Sequence, residues 1–237
     1  MKLIMENWKR FLKESEMYDY EPEKFGPLSV YHADAGEYGQ IVLYHMMPKI
    51  GDNLIYLVGT LTYDLTMEPC VPETFQVSAV YVEKLARGNK YAKLMYDLAF
   101  YIVGEKGAGL TSDHMVGTTK IAKDKAWNYI NSAESEYNKR KTDQGNAKFD
   151  YNNSTPDDPN DDCDSGLEGK EMATDYSYSM VNTSEPAAKY KMLIRNHLLN
   201  IRYLRGGKNM MWLEKELTNR ADEGFNRAHL EQTSIED

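Results

Sequence analysis

The chain reads as an α/β protein of the α+β kind: a mixed, mostly antiparallel sheet flanked by helices, with an acidic loop insert and C-terminal helices. Three observations predict it. Leu28 to Ala33, Ile41 to Met46 and Leu54 to Tyr63 are β-forming runs separated by turn chemistry, the pattern of an antiparallel meander. From Phe75 to Val103 a strand, a short basic turn and an amphipathic helix follow one another without interruption. From Tyr190 onward, apolar residues recur at helical spacing.

Residues 1–17 predict an N-terminal amphipathic helix, since Leu3, Ile4, Trp8, Phe11 and Leu12 fall on one side. The meander is broken at Asp34-Ala35-Gly36-Glu37-Tyr38-Gly39 and at Pro48-Lys49-Ile50-Gly51-Asp52-Asn53. In the fourth strand Val77 and Ala79 alternate with Gln76 and Ser78, and Val80, Tyr81 and Val82 carry it to about Glu83. Tyr91, Leu94, Met95, Leu98 and Ile102 then define one face of a helix, which Gly104, Gly107 and Gly109 bring to an end. A short strand around Ala108 to Ser112 follows. Lys120 to Ile130 reads as another helix, with Ala122, Ala126, Tyr129 and Ile130 in line.

The turn Leu85-Ala86-Arg87-Gly88-Asn89-Lys90 is where chemistry concentrates. A helix that opens there presents unpaired backbone N–H groups and the positive end of its dipole, so a phosphate or pyrophosphate is the natural guest. The run Arg87-Gly88-Asn89-Lys90-Tyr91-Ala92 resembles the acetyl-CoA pyrophosphate loop of the GNAT superfamily of N-acetyltransferases, in a divergent form. Arg87 and Ala92 match the loop's first and last positions, and Gly88 matches the Gly that commonly follows the Arg. Lys90 stands where the family has Gly.

The resemblance covers roughly residues 28–131, a GNAT-like acyl-CoA-binding core. It implies acetyl-CoA as co-substrate, an amine as acceptor and transfer of the acetyl group between them. Val80, Val82, Arg87, Gly88, Asn89, Lys90, Tyr91 and Ala92 are the implied cofactor-binding residues. Tyr129, with Trp127 nearby, is the phenol in the helix from which the family draws its general acid toward the CoA thiolate. Glu73 and Glu83 are the carboxylates in the region that supplies the family's base. Asp113-His114, after the short strand, offers a second source of a base, since a His titrates near neutral pH. One departure is large: the family inserts two helices between its first and second strands, where only about seven residues are available here.

Composition bounds the alternatives. The chain has 237 residues, 41% of them hydrophobic and 18 of them Tyr, enough for one domain with a sizeable core plus appendages. With 28 basic against 37 acidic residues, broad binding to nucleic acid is not expected. Cys70 and Cys163 form neither a disulfide framework nor a metal-ligand spacing, and no stretch approaches a membrane span, so a reduced, cytoplasmic setting is expected.

Residues 132–187 read as a polar, acidic insert, a loop or disordered segment. Its five acids from Asp157 to Asp164 form a solvated acidic loop by default. A calcium loop starting at Asn160 is the sharper alternative, with Asp162, Asp164 and Glu171 as oxygen ligands and Ser165 in place of the required Gly. Residues 188–237 form a C-terminal helical segment: Tyr190, Leu193, Ile194, His197, Leu198, Ile201 and Leu204 mark one stripe, and a second helix runs from about Asn209 to Leu230. These helices either dock onto the sheet or serve a partner or self-association. The alternative to an acetyltransferase is accordingly a catalytically silent GNAT-fold structural or assembly protein, of the virion-associated kind found in tailed phages, acting through its terminal helices and acidic insert.

Overall fold

The computed structural model describes residues 26–48, 53–66, 74–113, 118, 120–132, 137–141, 176–180, 184–202, 204 and 207–233. Among these residues, seven strands form one sheet: β1 Leu28–Asp34, β2 Tyr38–Pro48, β3 Asn53–Leu65, β4 Thr74–Val82, β5 Gly109–Thr111, β6 Tyr137–Lys141 and β7 Tyr176–Met180. Their spatial order is β1-β2-β3-β4-β5-β7-β6, and every adjacent pair is antiparallel except β4 and β5. The single parallel pair follows from the connection, because α1 Tyr91–Glu105 carries the chain from the end of β4 back to the start of β5. The fold is therefore mixed α+β.

The two sheet faces carry separate cores. On one, Val77, Phe75 and Leu61 pack with Met95, Leu98 and Phe100 of α1 and with Trp127 and Ile130 of α2. Helix α2 is composite: α-helical Lys120–Ala122, a π-helical turn Lys123–Trp127 and α-helical Asn128–Ser132. On the other face, Val42, Tyr44, Ala79 and Tyr81 are covered by Leu213, Leu217 and Ala221 of α4 Met210–Thr233. Each fully buried Leu stabilises by about 1.5–3 kcal/mol, so α4 is held chiefly by its apolar stripe. The approach is close at Gly224, where a β-carbon would stand 2.6 Å from Thr60 Oγ1. Between the two faces, α3 Ser184–Arg202 packs along the edge strand β1. It is pinned there by Asn200 Nδ2 donating to Ser29 Oγ (2.8 Å) and by the His197–Tyr44 hydrogen bond (2.7 Å).

The four-strand meander, the strand-turn-helix, the short strand and both C-terminal helices stand where the sequence predicts them. The insert differs. Composition predicts residues 132–187 as loop, yet β6 and β7 lie inside it and complete the sheet. Tyr-Ser-Tyr-Ser-Met alternates at period two, and the serines are accommodated by pairing: Ser177 is buried and its Oγ lies 3.0 Å from Thr74 Oγ1. The apolar line expected along α2 also slips. The π turn adds a residue to the repeat, so Ala126, Trp127 and Ile130 turn inward while Tyr129 stays 41% exposed. The N-terminal amphipathic segment, Cys70, Glu73, His114, Cys163 and the candidate calcium loop lie outside the described residues.

Candidate functional site: a cleft where two strands part

The site begins with one surplus residue in β4. Ala79 stands opposite Thr62 and Val77 opposite Tyr63, so Ser78 has no counterpart on β3. Val77 and Val80 both face the α1 core with two residues between them instead of one, which resets the alternation. Such a bulge bends its strand and increases its twist. Pairing between β4 and β5 extends only from Thr74–Gly109 to Gln76–Thr111, and beyond it the two parallel strands separate. The edge of β4 from Val77 to Val82 is thereby left facing a cavity of about 430 Å³.

Residues from both faces of the sheet border the cavity. Val80 and Val82 border it from the α1 side, Ala79 and Tyr81 from the α4 side, and His229 of α4 reaches it from the second face. Along β4 it is polarised. At the C-terminal end of the strand stand Arg87 and the start of α1; at the other end, where the strands part, stand Ser78, Ser112 and Asp113.

The turn at the basic end is braced from within. Arg87 Nε donates to Val82 O (2.9 Å), and Asn89 Nδ2 donates to Ala86 O (3.1 Å). Gly88 has φ +83° and Lys90 φ +61°, the latter in the left-handed region that a side chain disfavours. Lys90 is also the N-cap of α1 and makes no side-chain cap. The first intrahelical bond runs from Leu94 N to Lys90 O, so the amides of Tyr91, Ala92 and Lys93 precede the ladder. A β-carbon on Gly88 would meet nothing within 4 Å. The turn is open to solvent at Gly88, and the cavity that borders Arg87 and Ala92 continues along β4.

Of the residues implied by the resemblance, Val80, Val82, Arg87, Ala92 and Tyr129 border the cavity. Gly88, Asn89 and Lys90 form the turn joining Arg87 to Ala92, while Tyr91 packs its ring against the core. Glu83 stands apart. Its carboxylate accepts from Arg227 Nη1 (2.7 Å), beside a smaller pocket formed with Tyr81, Lys84 and Leu230.

The structure adds a chain of polar groups at the α1–α2 side. Lys93 Nζ lies 3.0 Å from Asp97 Oδ2 and 4.8 Å from the centre of the Tyr129 ring. Tyr137 of β6 donates to the other Asp97 oxygen (2.9 Å). Burial works against the Lys93 charge, but Asp97 and Tyr129 outweigh it and hold the ammonium above its usual range. The spacing of Lys93 and Asp97, four residues apart on a helix, is a signal present in the sequence. The positions of Tyr137 and His229 depend on the distant elements that carry them.

No protein-family model, curated protein or solved structure matches the chain. What the fold and site define is a mixed α+β protein with a ligand-sized cleft along β4, beyond the point where its pairing with β5 ends. Among the described residues, no group of His, Cys, Asp or Glu could hold a metal ion, and no helix is long and apolar enough to cross a membrane.

Proposed function

We propose that the cleft binds acetyl-CoA and that the protein transfers its acetyl group to an amine. The observation that carries this reading is the parted edge of β4, which runs from the bulge at Ser78 to the uncapped start of α1. An extended pantetheine arm can pair with a free strand edge as another strand would, and the amides opening α1 can take the pyrophosphate beside Arg87. The acetyl group would then lie near Ser78 and Asp113, and the second face of the sheet gives an acceptor a separate approach past His229. Tyr129, with the Lys93 ammonium over its ring, borders the same cleft and is the phenol nearest a role as acid. The protein's chemical task is modest: exclude water, polarise a carbonyl, accept one proton and return one.

Isothermal titration with acetyl-CoA tests the reading, alongside Arg87→Glu, which reverses the charge at the turn. Saturable binding lost in the variant is expected. Absence of binding at millimolar acetyl-CoA would refute it and favour the second reading, a fold kept without turnover in an assembly or virion-associated protein. The observation on that side is Lys90, whose side chain occupies a left-handed position at the phosphate turn.

A further inference from the structure

We propose that Ser78 and Asp64 form a proton relay at the reacting end of the cleft, with Ser78 touching the acceptor nitrogen and Asp64 taking the proton through it. The inference rests on the acyl-transfer reading above. Ser78 is the surplus residue of the β4 bulge and borders the cavity at the point where β5 leaves. Its hydroxyl donates to Asp64 Oδ1, and Gln76 Nε2 donates to Asp64 Oδ2 (3.1 Å). Both carboxylate oxygens are thus held from β4, and the residue whose hydroxyl holds one of them is the bulged residue that lines the cavity.

Asp64 does not itself border the cavity, which is why it acts as a positioning residue and proton store while Ser78 is the catalytic contact. Burial raises the Asp64 pKa above its ordinary value, the Gln76 hydrogen bond opposes that, and the Asp113 charge adds to it. Tyr38 of β2 also lies within electrostatic reach of Asp64, and Asp222 of α4 acts on the same Tyr38. A carboxylate in such surroundings takes up a proton more readily than one in water.

The step balances without a further reactant. The lone pair of a neutral amine forms the C–N bond to the acyl carbon, and the C–S bond breaks with its electrons leaving on the thiolate. One N–H proton passes to Ser78 Oγ as the Ser78 hydroxyl proton passes to Asp64, leaving the serine a hydroxyl and the aspartate a carboxylic acid.

Three measurements on the full chain test it. Titration of the Asp64 carboxyl carbon by NMR in the free protein, assigned by its loss in Asp64→Asn, should place its pKa above the ordinary aspartate value and higher still in Ser78→Ala, which removes a donor to the ionised form. An ordinary value, or one unmoved in Ser78→Ala, overturns the relay. Thiol release from acetyl-CoA is then followed with a pool of spermidine, tyramine and a free-amino peptide. Loss of a general base predicts a fall of about 10²–10⁴-fold in both variants. The acid limb of the pH profile should vanish in Asp64→Asn, which a merely structural role would not produce. Calorimetry separates the two failures: variants that bind acetyl-CoA normally but release thiol as fast as wild type overturn the relay alone. Wild-type protein that binds acetyl-CoA without any amine-dependent release overturns the acyl-transfer reading and the relay with it. Failure to bind acetyl-CoA overturns the acyl-transfer reading and the relay with it.

Discussion

Replacing Lys90 with glycine should make the protein more stable, although it deletes a helix N-cap residue and a side chain with four methylenes. Lys90 adopts φ +61° and ψ +21°, and it is the only non-glycine residue of positive φ among the described residues. A β-carbon in that region costs roughly 1–2 kcal/mol relative to a right-handed conformation. Glycine removes the clash but brings a larger entropy to the unfolded chain, worth about 0.5–1 kcal/mol. No cap is lost, because the Lys90 side chain makes none. The difference leaves Lys90→Gly more stable by about 0.5–1 kcal/mol, which for a chain of this size raises the melting temperature by roughly 1–4 °C. Thermal unfolding followed by circular dichroism measures it, with Lys90→Ala as the control that removes the charge and keeps the β-carbon. The reasoning is refuted if the glycine variant melts at or below wild type, or if alanine gains as much as glycine.

Trp127→Ala should cost about 3–5 kcal/mol in urea unfolding, because the indole is 3% exposed and packs edge-on to Tyr96 and Phe100 and stacks with Tyr178. A loss under about 1 kcal/mol would mean that α2 and β7 do not close over α1 in this way. His32, His45 and His197 are each held below the ordinary histidine value of 6.5, in every case mainly by burial. The unfolded chain therefore takes up protons first as pH falls, so stability is full above that value and declines below it, by at most about 1.4 kcal/mol per pH unit for each His. Stability that stays flat or rises between neutral and mildly acidic pH would contradict their burial.

The parts of the fold that were legible in the sequence are those whose signal is local. Residues 28–82 announce themselves because β-branched and aromatic runs alternate with Gly, Asp and Asn at turns, and α1 because five apolar residues share one face. The strands β6 and β7 were not legible. Their serines and lysines look solvated until Ser177 is seen against Thr74 and Gly109, where a β-carbon on the glycine would collide with Ser177 Oγ. The turn from Arg87 to Ala92, between strand and helix, was readable, but its left-handed Lys90 was not, since only the observed dihedral reveals it. Ser78 illustrates the deeper limit. In the sequence it is one polar residue in an alternating strand; its place beside Asp64 depends on a register shift that no local pattern encodes.

On the acyl-transfer reading, the C-terminal helix would stand in for the two helices that the GNAT pattern has between its first strands. Only Ala35 to Glu37 separate β1 from β2, so that connection can supply no wall to the cleft. The face it would have served is instead covered by α4, whose His229 borders the cavity. Two kinds of contact hold α4 there, and magnitude decides between them. Arg227 reaches Glu83 at 2.7 Å and Tyr81 at 3.2 Å, but its side chain is 50% exposed, and exposed ion pairs contribute about 0–1 kcal/mol. Leu213 and Leu217 are fully buried and together contribute several times as much, at about 1.5–3 kcal/mol each. The apolar stripe therefore fixes the helix to the sheet, while the Arg227 contacts set only where its last turns lie relative to the cleft. On the acyl-transfer reading, that division lets acceptor access be altered at Arg227 and His229 without unseating the helix. It also engages Glu83, one of the two carboxylates the resemblance implies as a base, in holding Arg227, and leaves the proton to a group nearer the bulge.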